Sequence, residues 1–404
     1  MLRKNEILAH MRILAIETSC DETAVSILEC SGGFDAPTFS VLGTGLFSQA
    51  HLHEKYGGVF PALAKREHQK NLVPLLEIAL GEAKLDVGET FSVDEATLVT
   101  ILTHEQELLS QLTAYFASHN KIPDIDAIAV TQGPGLEPAL WVGINFAKAL
   151  SYVWKKPLIP VNHMEGHIFS VLLNSSISYQ LSATIAFPAL ALLVSGGHTE
   201  LQLVHDWLSY ERLGETRDDA VGEAFDKVAR LLGLPYPGGP QISKLAAEAR
   251  AENAKAYNIT LPRPMIKSDD YDFSYAGLKT AVLYATKEHG DMDDIYKKEM
   301  AREFEDAAVD VLVAKTKKAL EEHAPKTFIV GGGVIGNQYL RERLTALIAD
   351  VSPETTILLP TKELSTDNAV MIGIAGYFRY EKTPSGYGVF DPSQTLKASG
   401  TLRL

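Results

Sequence analysis

Apolar and polar positions fall into two blocks along this chain, and the blocks repeat the same order of elements. From Ile13 to Leu28 an apolar run, a short polar turn and a second apolar run follow one another, a pattern that predicts strand, turn, strand. Ala191 to Val204 repeats it around Ser195-Gly196-Gly197-His198. Farther along, Ala127 to Gly135 reads as a buried strand ending in a glycine turn, and it leads into helical periodicity from Leu140 to Val153. Phe328 to Asn337 has the same logic and enters a helix beginning near Tyr339. Two hairpins, each followed by a strand–glycine–helix unit, predict an internally duplicated α/β domain.

The remaining segments set the expected boundaries. An N-terminal extension covers residues 1–11, and a first domain covers 12–160 with a helical insertion near 81–122. Within that insertion Val93 to His119 carries Leu98, Ile101, Leu108, Leu109 and Leu112 at helical spacing, which predicts a helix packed on the surface. A second domain covers 161–363 and includes a polar helical region at 221–285. Residues 364–404 form a C-terminal helix and tail that return to the first domain. Pro157, Pro160 and the stretch Asn174 to Tyr179 make a hinge.

Composition narrows the class. No apolar stretch approaches the roughly 20 residues that span a bilayer, and the first ten residues lack the apolar core of a secretory signal. Two cysteines, Cys20 and Cys30, predict no disulfide framework and suit a reducing compartment, so a cytoplasmic protein without a membrane partner is expected. Cys20 follows a strand and reads as a small buried thiol or as a reactive one. The net charge of −14 argues against broad autonomous binding of nucleic acid, which rests on neutralising phosphates with Lys and Arg. Local basic patches remain, foremost Lys65, Arg66 and Lys70.

The chemistry-bearing motif is Asn162-His163-Met164-Glu165-Gly166-His167. Histidines four residues apart share one helix face and can grip one metal ion. The general base of HExxH is missing, because the glutamate stands two residues after the first histidine. Asp367, in Ser365-Thr366-Asp367-Asn368 ahead of an apolar helix, reads as an N-cap or as the third ligand of a His/His/Asp facial set suited to Fe(II) or a comparable ion. Three glycine turns, at Gly133–Gly135, Ser195–Gly197 and Gly331–Gly333, can offer backbone N–H groups to phosphates. None matches GxxxxGKS or GxGxxG. Asp219, Glu223 and Asp226 share a helix face, either solvated or set to accept ribose hydroxyls, and Tyr236-Pro237-Gly238-Gly239-Pro240 is a rigid turn open to close approach.

Taken together, Glu17-Thr-Ser-Cys-Asp-Glu-Thr23, Gly57-Gly-Val-Phe-Pro61 with Arg66 and His68, Thr131-Gln-Gly-Pro-Gly-Leu136, the two histidines, Val194-Ser-Gly-Gly-His-Thr199, Gly222-Glu-Ala-Phe-Asp-Lys227, the Tyr236 turn, Gly331-Gly-Gly-Val334 with Asn337, and Thr366-Asp-Asn368 resemble the catalytic subunit of the tRNA threonylcarbamoyladenosine synthase family, the bacterial TsaD type. The resemblance runs from Met11 to about Tyr380. It implies an actin-like ATPase (ASKHA) fold, two related RNase H-like domains around a central nucleotide cleft. It implies a divalent metal on His163, His167 and Asp367, with Fe(II) the first expectation and zinc or manganese the alternatives. Threonylcarbamoyl-adenylate, or ATP, would be held by Leu193, Val194, Ser195, Gly196, Gly197, Asp226, Gly239 and Asn337. The implied reaction passes threonylcarbamoyl to N6 of the adenosine 3′ of the anticodon in tRNAs reading ANN codons, with release of AMP. Implied partners are tRNA, a TsaB-like paralogue (heterodimer, with a homodimer as alternative), a TsaE-like ATPase, and a TsaC-like enzyme supplying the adenylate. No general base is identified; His198 is a candidate by its closeness to a glycine turn. Ala62 stands where the family usually has glutamate, and the 81–122 insertion is long for it. The competing readings are a metalloprotease and a small-molecule kinase or ATPase of the same fold.

Overall fold

The computed structural model describes residues 10–173, 184–393 and 395–404. The expected hinge at Asn174 to Tyr179 and the N-terminal extension up to residue 9 lie outside the described residues. The chain divides into two compact units. One comprises the described residues of Met1–Gln49, Val59–Thr184 and Asp367–Leu404, the other Ala50–Gly58 and Ile185–Thr366.

The first unit is built on strands β1 (Met11–Glu17), β2 (Glu22–Ser31) and β3 (Thr38–Ser48) and, after the short inserted strands β4 (Val87–Thr90) and β5 (Lys121–Pro123), on β6 (Ala127–Gly133) and β7 (Leu158–Asn162). Its five strands lie in the order β3-β2-β1-β6-β7. β1 pairs antiparallel with β2, Met11 opposite Cys30 and Glu17 opposite Ala24, and parallel with β6, Ile13 opposite Ala127. Strands β1 and β6 are buried along nearly their whole length, as continuous apolar runs in the middle of a covered sheet must be. The helix Glu137–Trp154 packs against β6. The apolar C-terminal helix Ala369–Lys382 packs against β1, β2, β6 and β7. Small residues let that helix come close: a Cβ at Gly373 would stand 2.6 Å from Leu28 Cδ1, and one at Gly376 2.7 Å from Ala129 Cβ.

The second unit repeats the plan with β8 (Ala189–Val194), β9 (Thr199–Asp206), β10 (Ser209–Glu215), β11 (Thr327–Gly331) and β12 (Thr356–Leu358). The order is β10-β9-β8-β11-β12. β8 pairs antiparallel with β9, Val194 opposite Thr199, and parallel with β11, Thr327 opposite Ala189. Strand for strand this is the first sheet again: an antiparallel meander of three, then two parallel additions. The helices Val221–Leu231, Gly238–Ala251 and Asp294–His323 supply its core, with Phe225 and Phe304 edge to face at 5.0 Å.

The inserted segment of the first unit differs from the single helix expected over Val93 to His119. Two helices, Glu95–Ile101 and Gln106–Ser118, are separated by a turn. Glu105, buried at that turn, accepts the side-chain amide of Asn145 at 3.0 Å. Leu98, Leu108 and Leu112 enter the core of the unit, and Ile101 and Leu109 pack against it half-buried.

Candidate functional site

β7 ends at Asn162, whose side-chain oxygen accepts the backbone N–H of Met164 at 2.8 Å and so starts the helix His163–Phe169. His163 and His167 fall on one face of that helix, with ring centroids 4.6 Å apart. Gly166 allows the close approach of the C-terminal helix, because a Cβ there would stand 3.0 Å from Met371 Cγ. That packing delivers Asp367. Its Oδ1 lies 3.4 Å from His163 Nε2 and 3.2 Å from His167 Nε2, and one ligand atom from each of the three residues fits within 4.8 Å of the others. The cap of the C-terminal helix is Asn368, which accepts Met371 N–H at 3.0 Å. This leaves the carboxylate of Asp367 turned to the histidines.

The donor set fits a metal ion. Both histidines are buried, and neither ring nitrogen of His167 makes a hydrogen bond among the described residues. A buried polar nitrogen left so costs about 1–3 kcal/mol, a cost that coordination removes. Electrostatics agree. Burial opposes ionisation of the Asp367 carboxyl, but the two histidines hold it far below the usual carboxylate range. Burial also disfavours charge on His163, yet Asp367 and Glu17 pull that ring well above its ordinary value. Burial, with His163 adding to it, pushes His167 down. Two imidazoles and an anionic oxygen with open coordination positions suit Fe(II), zinc or manganese.

In the second unit the β8–β9 turn is tied on itself. Ser195 N–H donates to His198 O at 2.9 Å, and His198 N–H donates to Ser195 Oγ at 3.0 Å. Leu193 and Val194 are buried in β8 behind it. Two glycines let neighbours press against this turn. A Cβ at Gly222, in the first turn of the helix Val221–Leu231, would stand 2.5 Å from Ser195 O. One at Gly332, where φ is +94°, would stand 2.3 Å from Val194 O. A Cβ at Gly196, Gly197 or Gly239 would meet nothing within 4 Å, and the Gly197 N–H donates to Ser195 Oγ at 3.3 Å.

The helix-borne carboxylates divide. Asp219 and Glu223 both pair with Lys227, at 2.7 and 2.9 Å. Asp226 instead accepts Gly238 N–H at 2.7 Å and anchors the first turn of the helix Gly238–Ala251, which carries Gly239. Asn337 caps the helix Gln338–Val351 through Leu340 N–H at 2.9 Å, while its amide nitrogen donates to Ser243 Oγ and Glu305 Oε1 at 2.8 and 2.7 Å. Ser195–Gly197, Asp226, Gly239 and Asn337 all belong to the second unit, and His163, His167 and Asp367 to the first.

The third glycine turn is covered by the chain itself. Gly135 N–H donates to Gly400 O at 3.3 Å and Leu136 N–H to Ser19 O at 2.7 Å. A Cβ at Gly133 would stand 1.9 Å from Ser399 O. The glycines at Gly133–Gly135 therefore serve the docking of the C-terminal tail, not a phosphate. The basic patch is likewise engaged. Lys65 pairs with Glu105 at 3.4 Å, and Lys70 and Arg66 with Glu67 at 2.8 and 3.5 Å.

Two carboxylates of the Glu17–Thr23 motif, to which the sequence assigned no role, belong to the surroundings of this centre. Glu17 lies 3.1 Å from His163 Nδ1. Burial, with Asp21 and Asp367 adding negative charge, pushes the Glu22 carboxyl well up. Strand ends are where α/β sheets place sites, and the C-terminal end of β1 is the signal that marked Glu17. Burial, again with Asp21 and Asp367, also pushes the Cys20 thiol well up, which disfavours its thiolate, and the side chain is half-buried.

A sequence model of the family described as tRNA N6-adenosine threonylcarbamoyltransferase, TsaD, matches residues 40–93 and 99–374. The protein of that name from Persephonella marina is 41% identical over 377 residues, 92% of this chain and 91% of the relative. The one from Burkholderia vietnamiensis is 43% identical over 380 residues, 93% and 94% of the two chains. The one from Staphylococcus aureus strain Newman is 40% identical over 373 residues, 92% of each. Among solved structures, full-length HypF in the phosphate- and nucleotide-bound form superposes with a TM-score of 0.50 at 12% identity, over 93% of this chain and 56% of HypF. That likeness, with the repeated sheets, gives the fold class as the α/β actin-like ATPase fold.

Proposed function

The chain belongs to the tRNA N6-adenosine threonylcarbamoyltransferase family, and from that premise we propose that its His163–His167–Asp367 centre and its Ser195–Gly197 turn serve that transfer with threonylcarbamoyl-adenylate as donor. The acceptor is an adenosine of tRNA; the proposed position is the one 3′ of the anticodon in tRNAs reading ANN codons. The observation that carries the metal assignment is Asp367 Oδ1 standing 3.4 and 3.2 Å from the two Nε2 atoms in a buried setting.

In the reaction the adenosine N6 bonds to the carbonyl carbon of the threonylcarbamoyl group. The bond from that carbon to the phosphate oxygen breaks, AMP leaves with the electron pair, and N6 loses one proton. The aryl amine is a weak nucleophile, so the adenylate must be the activated partner. The N–H of Gly196 supplies a fixed dipole for the phosphate, while that of Gly197 donates to Ser195 Oγ at 3.3 Å and holds the turn in shape. Asp226 acts by holding the N-terminus of the helix that begins at Gly238, and Asn337 by capping its helix. A divalent ion, Fe(II) first among those expected, would supply positive charge of the kind that offsets charge developing on a leaving group. His163, His167 and Asp367 would hold it.

The assignment extends to the partners tRNA, a TsaB-like paralogue, a TsaE-like ATPase and a TsaC-like source of the adenylate, and to a cytoplasmic setting. Among the described residues no helix is long and apolar enough to cross a membrane. The protease reading fares worse. The HExxH base is absent, and Glu165, the glutamate between the histidines, is bound to Arg379 at 2.5 Å. The test is to incubate the metal-loaded and metal-stripped chain with threonylcarbamoyl-adenylate and unmodified tRNA, with and without partners, and to measure the modified nucleoside. Peptide cleavage without nucleoside formation would reverse the assignment.

A further inference from the structure

We propose that Glu17 is a positioning residue of the metal centre, holding the Nδ1–H of His163 so that the Nε2 lone pair is presented to the ion. The inference rests on the metal reading above. Glu17 is the last residue of β1 and is fully buried. Its Oε1 accepts the backbone N–H of Ser19, in the β1–β2 turn. Its Oε2 accepts the hydroxyl of Thr131, near the end of β6, at 2.5 Å and lies 3.1 Å from His163 Nδ1. Two donors, one in the turn after β1 and one in β6, therefore hold one carboxylate in place against one ring nitrogen.

The tautomer follows from donor and acceptor inventory. Both Glu17 oxygens act as acceptors, from Ser19 N–H and the Thr131 hydroxyl, so the ring nitrogen facing Oε2 is the one that carries hydrogen. The other nitrogen, Nε2, faces Asp367 and belongs to the ligand cluster. A carboxylate behind a ligating histidine fixes the ring and raises its basicity as a ligand. The two histidines are unequal in this respect. Nδ1 of His167 has no hydrogen-bond partner among the described residues, so no carboxylate stands behind that ring.

The test uses the full chain, stripped of metal and titrated with Co2+ alone against a competing chelator, with folding followed by circular dichroism. Replacing a carboxylate behind a metal-bound histidine typically weakens metal binding about 10–100-fold. Folded Glu17→Gln, which keeps the size and loses the charge, is expected to show a loss of that order and an altered visible Co2+ spectrum. Wild-type affinity and spectrum in folded Glu17→Gln would overturn the proposal. Asp367→Ala separates the two ideas. If it loses Co2+ while Glu17→Gln does not, the metal site stands and the positioning role falls; if it too binds as wild type, the metal reading itself falls. A measurement on the wild type needs no variant to fold: in the Zn2+-loaded chain with ring-15N histidine, His163 is expected to carry hydrogen on Nδ1, and zinc on Nδ1 would overturn the proposal.

Discussion

Asp367 Oδ1 lies 3.2 Å from His167 Nε2, a half-buried carboxylate and a buried imidazole from distant parts of the chain set side by side. A bare pair of this kind is held by charge only if the imidazole is protonated, and burial pushes His167 away from protonation. The arrangement makes chemical sense as half of a metal site.

His163→Ala and Asp367→Ala are therefore expected to lose bound metal and tRNA modification while remaining folded. Asn368→Ala is expected to keep the metal and to lose about 1 kcal/mol of stability with its helix cap. Elemental analysis and thermal melts of the three variants check this; full metal occupancy in the first two would sink the assignment.

Metal affinity is expected to rise with pH. The folded-state value of His163 lies above its ordinary one, so the metal-free ring keeps its proton into the neutral range and an ion must displace it. Asp367 is ionised and His167 neutral there, so about one proton is released per ion in the range below the raised value of His163. For folding, the raised value means that His163 contributes stability to the metal-free chain below its unfolded value of about 6.5, withdrawn as pH rises through the folded value. Calorimetry in buffers of different ionisation heat counts the protons, and an affinity flat from pH 6 to 8 would contradict the argument.

The β8–β9 turn separates close packing from ligand binding. Gly222→Ala and Gly332→Ala place a Cβ 2.5 Å and 2.3 Å from backbone oxygens, and each is expected to cost about 1–3 kcal/mol. Gly197→Ala meets nothing within 4 Å, so its stability is expected to be unchanged while affinity for AMP falls. Titration calorimetry beside melting curves distinguishes them, and unaltered AMP binding in Gly197→Ala would move the phosphate elsewhere.

Asp226→Ala and Asn337→Ala are expected to weaken nucleotide binding without removing metal. Asn337→Ala also leaves buried Glu305 short of a donor and its helix uncapped, a loss of about 1–3 kcal/mol. Wild-type nucleotide affinity in both variants would refute the assignment.

The tail prediction concerns Gly133. A Cβ there meets Ser399 O at 1.9 Å, so Gly133→Ala is expected to release residues 397–402 and to make them an early site of limited proteolysis. An unchanged digestion pattern would show that the tail adapts.

Much of the architecture was legible before any coordinates. Ile13 to Leu28 and Ala191 to Val204 announced matching hairpins because strand periodicity and turn residues are local properties. The same locality misplaced the helices at 93–119. The buried contact of Glu105 with Asn145 lies between residues far apart in sequence, and periodicity does not register it. The histidines at 163 and 167 were legible as a pair because helix geometry alone puts both on one face.

Sequence by itself determined the duplicated α/β plan, the two-histidine face and, through combined motifs, the family. Tertiary structure decided what each side chain meets. It set Asp367 against the histidines and passed the helix cap to Asn368. It covered Gly133–Gly135 with Ser399 and Gly400, and it brought Glu17 behind His163. Those outcomes depend on contacts between residues far apart along the chain, and a residue type at a motif position does not say whether its hydrogen-bonding groups face a ligand or the protein's own backbone.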